Sequence, residues 1–528
     1  MYDEKENIVN LAELLSKKSE KNGEKTAVAT DERRISYTEL DEKSSSVAAG
    51  LKSLGVSEND KIALFMPNSL EFLYLWFGAM KLGAVCVPLN VSLKGSLLRY
   101  QLNDSDAKVV VVSKHVLQNY LEVKDGLENV AVHVSDEIGV DGFLHLSYLI
   151  DAGKTFSQPA KVHPSHPATI MYTSGTTGPP KGVVLPHYAY INTALMNSSI
   201  AEACDGDVFY STVPFFHTSG QLQIVLPALM NDLTAAFDPW FHASQFWQNA
   251  AKYGATKIFL ISSMINILLK QPVGPYDRNH SVKIAMTGGS TRETWLKFEE
   301  RFGVKVYEGY GMTETSAIAI FNRGGEVRLG SVGKPLPYFE MKVFDENDNE
   351  LPPGKVGELV IRPRKPFVMM MEYYKKPSET VRAWRNLWFH TGDLFYRDED
   401  GYFYVVGRIK ESIRRRGENI SPYEIESVVN EHPAVLESAA VGVPSALGDE
   451  DVKVYLKLKP GARIDFVDFL KWCDKNLPYH MVPRYVETLD ELPKTPTQRI
   501  QRYLLKERGV GQAFDAVKAG FKPTKPVI

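Results

Sequence analysis

The sequence predicts an α/β protein: a large multi-subdomain N-terminal body, built of parallel sheets with helical crossovers plus a β-rich subdomain, and a small, mobile α+β C-terminal domain. Three observations predict it. Strand-like apolar runs alternate with helix-sized amphipathic segments up to about residue 330, the rhythm of parallel sheets joined by crossovers. From Ser331 the pattern shortens into β segments bounded by Gly, Pro, Asn and Asp, which points to an antiparallel or barrel-like unit over about 331–408. After Arg408 a fresh α+β pattern begins, so the body is expected to span 1–408 and the C-terminal domain 409–528. At roughly 150 residues per domain, a chain of 528 residues suits several packed units of this kind.

The elements follow in order. KIALFMP, AVCVPLN, KVVVVS, TKIFLIS and VKIAMTGG read as buried strands. Tyr37 to Leu54 and Trp295 to Phe302 carry apolar residues at helical spacing. The longest apolar run, Phe72 to Leu89, approaches the length of a membrane span, but it contains Lys81 and two glycines and ends in VCVPLN. It reads as a buried helix followed by a short strand. EMKVFDENDNELPPG, GELVIRP and DEDGYFYVVG supply the later β segments, and EIESVVNEH, AVLESAAVGV and DVKVYLKLKP the C-terminal pattern.

Composition narrows the function. With 44% apolar and 24% charged residues, and only 38 glycines and 30 prolines, collagen-like, disordered and coiled-coil readings are excluded. Lys and Arg number 61 against 64 Asp and Glu, a net charge of −3, so no global positive field would recruit nucleic acid or an anionic membrane. No nucleic-acid partner and no transmembrane segment are expected. Cys86, Cys204 and Cys473 show no metal or redox spacing, and the charged N-terminus lacks the apolar core of a signal peptide; a cytoplasmic location fits.

Chemistry concentrates in Thr173-Ser-Gly-Thr-Thr-Gly-Pro-Pro-Lys-Gly182, after the apolar run ATIMY. Glycines and small hydroxyl residues let backbone N–H and side-chain OH groups wrap phosphate oxygens, and Lys181 can neutralise charge, so a triphosphate is the natural ligand. The Walker pattern is absent, because Gly-Lys-Ser/Thr is missing and Pro180 precedes the lysine. The alternative for this segment alone is a polar surface turn.

From this segment onward the chain resembles the adenylate-forming superfamily of acyl-CoA synthetases, luciferases and carrier-loading adenylation domains, over nearly its whole length. VPFFHTSG (213–220), TGGS (287–290), YEGYGMTETS (307–316), GELVIRP (357–363), WFHTGD (388–393) and GRIKESIRRRGENISPYEIE (407–426) follow in the family's order. GENISPYEIE and MVPRYVE look most like the small and medium acyl-CoA synthetases, including the crotonobetaine/carnitine-CoA ligase group.

The resemblance implies roles for individual residues. Thr173, Ser174, Gly175, Thr176, Thr177 and Gly178 would cradle the phosphates of ATP, with Lys181 catalytic; Glu314, with Thr176, would hold Mg²⁺, a hard cation suited to carboxylate and phosphate oxygens. Tyr310, Gly311 and Thr313 accompany Glu314 in its motif as nucleotide-binding positions. Asp393 would accept hydrogen bonds from the ribose hydroxyls, Arg408 would lie near ribose and phosphates, and Gly288, Gly289 and Ser290 would approach the adenine and acyl chain. His217 would place or gate the acid, with Phe215 and Phe216 as pocket walls and Gln221, Ser262 and Met264 along the acyl pocket. Lys410 occupies the hinge position, with an ordinary surface lysine as the other reading. The run Arg414, Arg415 and Arg416, then Gly417 and Glu418, resembles the loop that meets CoA, although three arginines can equally form an exposed charged face.

One departure stands out. Where the family has Leu-Pro-Arg-Thr-x-x-Gly-Lys-Ile, this chain has Leu492-Pro-Lys-Thr-Pro-Thr-Gln-Arg-Ile500, so Arg499 replaces the catalytic lysine. A planar fork is not equivalent to a compact ammonium, and Arg499 is expected to keep the role in altered geometry. The resulting expectation is an acid–thiol ligase that uses ATP, Mg²⁺ and CoA to convert a small-molecule carboxylic acid through acyl-AMP to an acyl-CoA, as in fatty-acid and lipid metabolism. A homodimer is a candidate assembly. The competing readings are an enzyme that loads a carrier protein, and a nucleotide- or acyl-binding protein whose adenylation is impaired by Arg499.

Overall fold

The computed structural model describes residues 8, 10–151, 156, 158–173, 179–290, 292–408, 413–493 and 500–524. Two large sheets dominate the body. One runs in the order Glu372–Tyr373, Lys181–Pro186, Pro167–Thr173, Val85–Pro88, Lys61–Phe65, Ala107–Val112, Val132–Ser135, Leu144–His145. From Pro167–Thr173 outward all its neighbours are parallel, whereas the first two pairings are antiparallel. The other sheet has a parallel centre of Lys305–Tyr310, Ile284–Gly288, Lys257–Ile261, Val208–Ser211, Thr234–Phe237 and Thr26–Ala29, with antiparallel strands at both edges. The strand runs of the sequence therefore become central strands, buried on both faces, which is why they read as continuous rather than alternating apolar stretches.

The Phe72 to Leu89 run forms the helix Leu70–Leu82 and the strand Val85–Pro88. The Ser69 side chain caps the helix by accepting from Phe72 N, and Gly83 ends it at φ +69°. Lys81 is buried, and its ammonium donates to Asp41 Oδ1 at 2.7 Å and Ser16 Oγ at 2.8 Å. Among the described residues no helix is long and apolar enough to cross a membrane. The helix expected from Trp295 starts earlier, at Arg292, with Glu293 in its first turn, a favourable place for an acid.

An antiparallel sheet of Phe339–Phe344, Gly357–Pro363, Phe389–Arg397 and Phe403–Arg408 follows. It is interleaved with the body, because Lys334–Pro335 edges one large sheet and Glu372–Tyr373 edges the other. The C-terminal residues form a separate sheet of Val435–Pro444, Glu450–Leu458, Tyr485–Thr488 and Phe514–Asp515, packed with the helices Pro422–Val429 and Phe466–Asn476. Ahead of it, Ile413–Arg415 and Glu418–Ile420 form a hairpin that reaches back to the body.

Candidate active site

The carboxyl ends of parallel strands are where an open α/β sheet offers its crevice. Here a cavity of about 1320 Å³ opens at the ends of Pro167–Thr173 and Lys257–Ile261, and extends over the antiparallel sheet to the C-terminal hairpin. Thr173, Lys181, His217, Gly311, Thr313 and Glu314 line it from the body; Arg416, Gly417 and Glu418 line it from the hairpin.

Thr173 and Lys181, which flank the hydroxyl-rich segment, face each other across an antiparallel pair. Ser174, Gly175, Thr176, Thr177 and Gly178 lie outside the described residues, as do Lys410 and Arg499. The Lys181 ammonium donates to Glu379 Oε2 at 3.2 Å and lies 4.6 Å from the centre of the Tyr373 ring. The Tyr373 hydroxyl in turn donates to Glu314 Oε1 at 2.8 Å. Burial, then the Glu314 carboxylate, push the Tyr373 phenol far above its ordinary value, so it remains a donor. Tyr373 and Glu379 were not singled out in the sequence; both sit where the edge strand and helix Pro377–Ala383 fold over this strand pair, a tertiary contact with no local signal.

Asp393 is buried and accepts a 2.6 Å hydrogen bond from the Tyr310 hydroxyl. The ladder places it opposite Arg408, and its neighbours Gly392 and Leu394 line the cavity. Gly311 permits a close chain crossing, since a Cβ there would stand 2.0 Å from the Ala317 carbonyl oxygen.

Gly288, Gly289 and Ser290 do not line the cavity. Gly289 has φ +85°, and the amides of Gly289 and Ser290 donate to one oxygen of the buried Glu308, the Ser290 bond being 3.0 Å. Burial pushes the Glu308 carboxyl up to about 7. The segment is thus a turn closed around an internal carboxyl, and the Arg414 guanidinium lies over Gly289 from outside.

His217 and Glu418 join the body to the C-terminal hairpin, with Nε2 and Oε1 3.0 Å apart. Burial works against the imidazolium, but the facing carboxylate outweighs it and the ring titrates above its ordinary value. The same pairing overrides burial at Glu418 and holds its carboxyl below the usual range. Gly417, at φ +84°, packs against Ile261.

The three arginines divide. Arg416 faces the cavity, with its amide bound to Asp449 Oδ2 at 2.6 Å; Arg414 reaches the Gly288 carbonyl at 3.4 Å. Arg415 is buried, paired with Asp451 at 3.1 Å and donating to the His480 and Val482 carbonyls. It belongs to the interior, not to a CoA-facing or exposed charged face. The expected pocket walls also divide: Phe216 and Met264 line the cavity, whereas Phe215 packs against Phe72 and Phe237 behind it. Gln221 is buried and donates to the Phe215 carbonyl at 2.6 Å, and Ser263 replaces Ser262 on the wall because helix Ser262–Leu269 turns that face inward.

Fold and site together define an adenylate-forming enzyme. The family model described as AMP-binding enzyme matches residues 15–374, and that of the AMP-binding enzyme C-terminal domain matches residues 424–499. A crotonobetaine/carnitine–CoA ligase of Salmonella paratyphi A is 32% identical over 511 residues, 94% of this chain and 99% of the relative. Among solved structures, o-succinylbenzoate CoA synthetase from Bacillus subtilis with a bound product analogue, OSB-NCoA, is 25% identical with a TM-score of 0.82, covering 94% of this chain and 98% of that one. ATP-bound MatB from Rhodopseudomonas palustris is 28% identical with a TM-score of 0.69, over 94% and 98% of the two chains. The chain belongs to the AMP-binding enzyme family and is, by class, an AMP-forming acyl-CoA synthetase.

Proposed function

We propose that the chain joins a carboxylic acid to CoA in two steps: ATP converts the acid to acyl-AMP with release of pyrophosphate, and the CoA thiol then displaces AMP. The observation that carries this reading is the single cavity into which both Lys181 and Glu314 of the body and Arg416 to Glu418 of the C-terminal hairpin open. Groups suited to each step share one space.

In the first step a carboxylate oxygen attacks the α-phosphorus and the bond to pyrophosphate breaks. Lys181 and the hydroxyl-rich segment Thr173 to Gly178 stabilise the charge that accumulates on the leaving group, through position and electrostatics rather than covalent chemistry. Glu314 offers a buried, oriented carboxylate oxygen at the cavity wall, a fit for Mg²⁺, which would neutralise phosphate charge there. Thr176 is the proposed second ligand. Among the described residues no cluster of three or more His, Cys, Asp or Glu could hold a metal. Asp393, held by Tyr310, takes the ribose hydroxyls, with Arg408 beside it; Arg499 bridges acid and α-phosphate.

In the second step the thiol attacks the acyl carbonyl, loses its proton and expels AMP. Residues 409–528 act as a moving domain on a hinge at Lys410, and the arrangement with Glu418 against His217 suits this step. The named CoA ligases among the relatives favour CoA over a carrier protein as acceptor. Three unpaired cysteines suit a cytoplasmic setting.

The test is a pyrophosphate-release screen over a panel of carboxylic acids with and without CoA. Acid-dependent pyrophosphate and CoA-dependent turnover are expected. Nucleotide binding without acid-dependent pyrophosphate would overturn the reading in favour of a binding protein, and turnover indifferent to CoA would overturn the assigned acceptor.

A further inference from the structure

The aspartate proposed to meet the ribose sits on a chain segment that leaves its ladder with Gly357–Pro363 while staying paired with Arg408 on the other side. Glu358 pairs with Leu394, but two residues on, Val360 pairs with His390, so the strand Phe389–Arg397 advances four residues while Gly357–Pro363 advances two. Thr391, Gly392 and Asp393 therefore bulge from that ladder, and Gly392 takes φ +74°, a conformation that favours glycine. A bulge frees backbone groups that need partners.

Side chains supply them. Glu358 Oε1 accepts from Gly392 N at 2.9 Å, in the place of the missing ladder carbonyl. Thr391 Oγ1 donates to the Leu359 carbonyl at 2.7 Å and accepts from Asp393 N at 3.1 Å. The other oxygen of Glu358 is held by His390 Nδ1 at 2.8 Å and Arg385 Nη2 at 2.9 Å, and Arg385 is fixed in turn by Asp348 at 3.2 Å. His390 has 2% of its side chain exposed and Glu358 11%, so these are ordered, largely dry bonds. Glu358, His390, Thr391 and Gly392 all border the cavity.

We infer that Glu358, clamped by His390 and Arg385, is a positioning residue: it holds the Thr391 to Asp393 bulge in the one shape that presents Asp393 to the nucleotide ribose. The inference rests on the proposed ribose contact of Asp393. In this role Glu358 acts through the Gly392 N–H.

The test measures KM for ATP, for 2′-deoxy-ATP and for 3′-deoxy-ATP, with the acid and CoA saturating. Glu358→Ala leaves the Gly392 amide without its acceptor; KM for ATP rises about tenfold, kcat changes little, and the preference for ATP over the deoxy analogues narrows at least threefold. Glu358→Gln keeps an oxygen for Gly392 and retains most of that preference. Arg385→Ala, at a half-exposed position, loosens the clamp from outside and narrows the preference about twofold. Asp393→Ala separates the two ideas. If it narrows the preference and Glu358→Ala does not, the positioning role is wrong and the ribose contact stands. If Asp393→Ala leaves the preference intact, the ribose contact fails and the inference with it. An equal rise in KM for ATP, acid and CoA in Glu358→Ala marks general damage and overturns the role, as does an unaltered preference in Arg385→Ala should Glu358→Ala fail to fold.

Discussion

Replacing Gly417 by alanine should slow the CoA step and spare adenylation. Gly417 has φ +84°, and a Cβ there would lie 2.0 Å from Ile261 Cδ1 and 3.3 Å from Cγ1. A side chain in the left-handed region costs about 1–2 kcal/mol. Turning Ile261 out of the way adds about 0.5–1.5 kcal/mol, since its Cδ1 is a terminal methyl that can rotate off its preferred rotamer. Together about 1.5–3.5 kcal/mol opposes docking of the hairpin, which is about 13- to 400-fold in the population of the docked arrangement. Two assays separate the steps: acid-dependent exchange of pyrophosphate into ATP reports adenylation, and transfer from preformed acyl-AMP to CoA reports the second step. Exchange should hold within about twofold while transfer falls by the larger factor. The double variant with Ile261→Ala should recover the overlap share and leave the backbone share. Equal losses in both assays, or none in either, would refute the assignment of this contact to the CoA step.

Other outcomes follow from the same geometry. Arg499→Ala should lower acyl-AMP formation measured by pyrophosphate exchange, and formation at the parent rate would show that Arg499 has not kept the lysine's role. Arg415→Ala leaves Asp451 as a buried anion deprived of a partner, though Arg484 still reaches its other oxygen at 2.8 Å; a loss of about 3 kcal/mol in chemical denaturation is expected. Glu308→Gln tests the internal carboxyl. Its folded pKa of about 7 lies above its ordinary 4.5, so its contribution to stability is complete below the ordinary value and is lost as pH rises through about 7. At pH 8 the parent should therefore be less stable than Glu308→Gln by up to about 3 kcal/mol, a difference that vanishes near pH 4 and is read from urea midpoints.

Much of the architecture is legible because it depends on long apolar periodicity. Phe72 to Leu89 resolves into helix and strand at Gly83, and Lys81, an objection to a membrane span, is a buried cation held by Asp41. What escaped notice falls into two kinds. One had an overlooked signal: in the strand Ile413–Arg415, Arg415 shares a face with the buried Ile413 while Arg414 points the other way, so the period of two already divides the arginine run. The other kind has no local signal. Nothing in GELVIRP or WFHTGD announces that two extra residues will bulge between them, and nothing near Glu379 or Tyr373 announces Lys181, 198 positions from Glu379 in sequence. Such contacts exist only once strands from distant segments have been brought into register.

The near-neutral composition and the anionic substrates are reconciled by how the cavity's cations are held. Lys181 of the sheet is paired with Glu379 of a helix that follows the edge strand, and His217 of the body is paired with Glu418 of the C-terminal hairpin. Each pair ties two separate elements. On the proposed roles of Lys181 and His217, a phosphate or carboxylate entering the cavity would compete with Glu379 and Glu418 for these partners, so binding would exchange one anion for another and add little net charge to the site. On the proposed mechanism the exchange would also be mechanical: drawing His217 toward a substrate carboxylate would remove one of the bonds between the body and the C-terminal hairpin, and consuming that carboxylate as acyl-AMP would let His217 return to Glu418. A ligand shifts a conformational equilibrium only by its differential interaction with the two states, and this ion pair would provide such a difference if a substrate carboxylate displaced Glu418 from His217. The order of the two half-reactions would then be written into which carboxylate His217 faces.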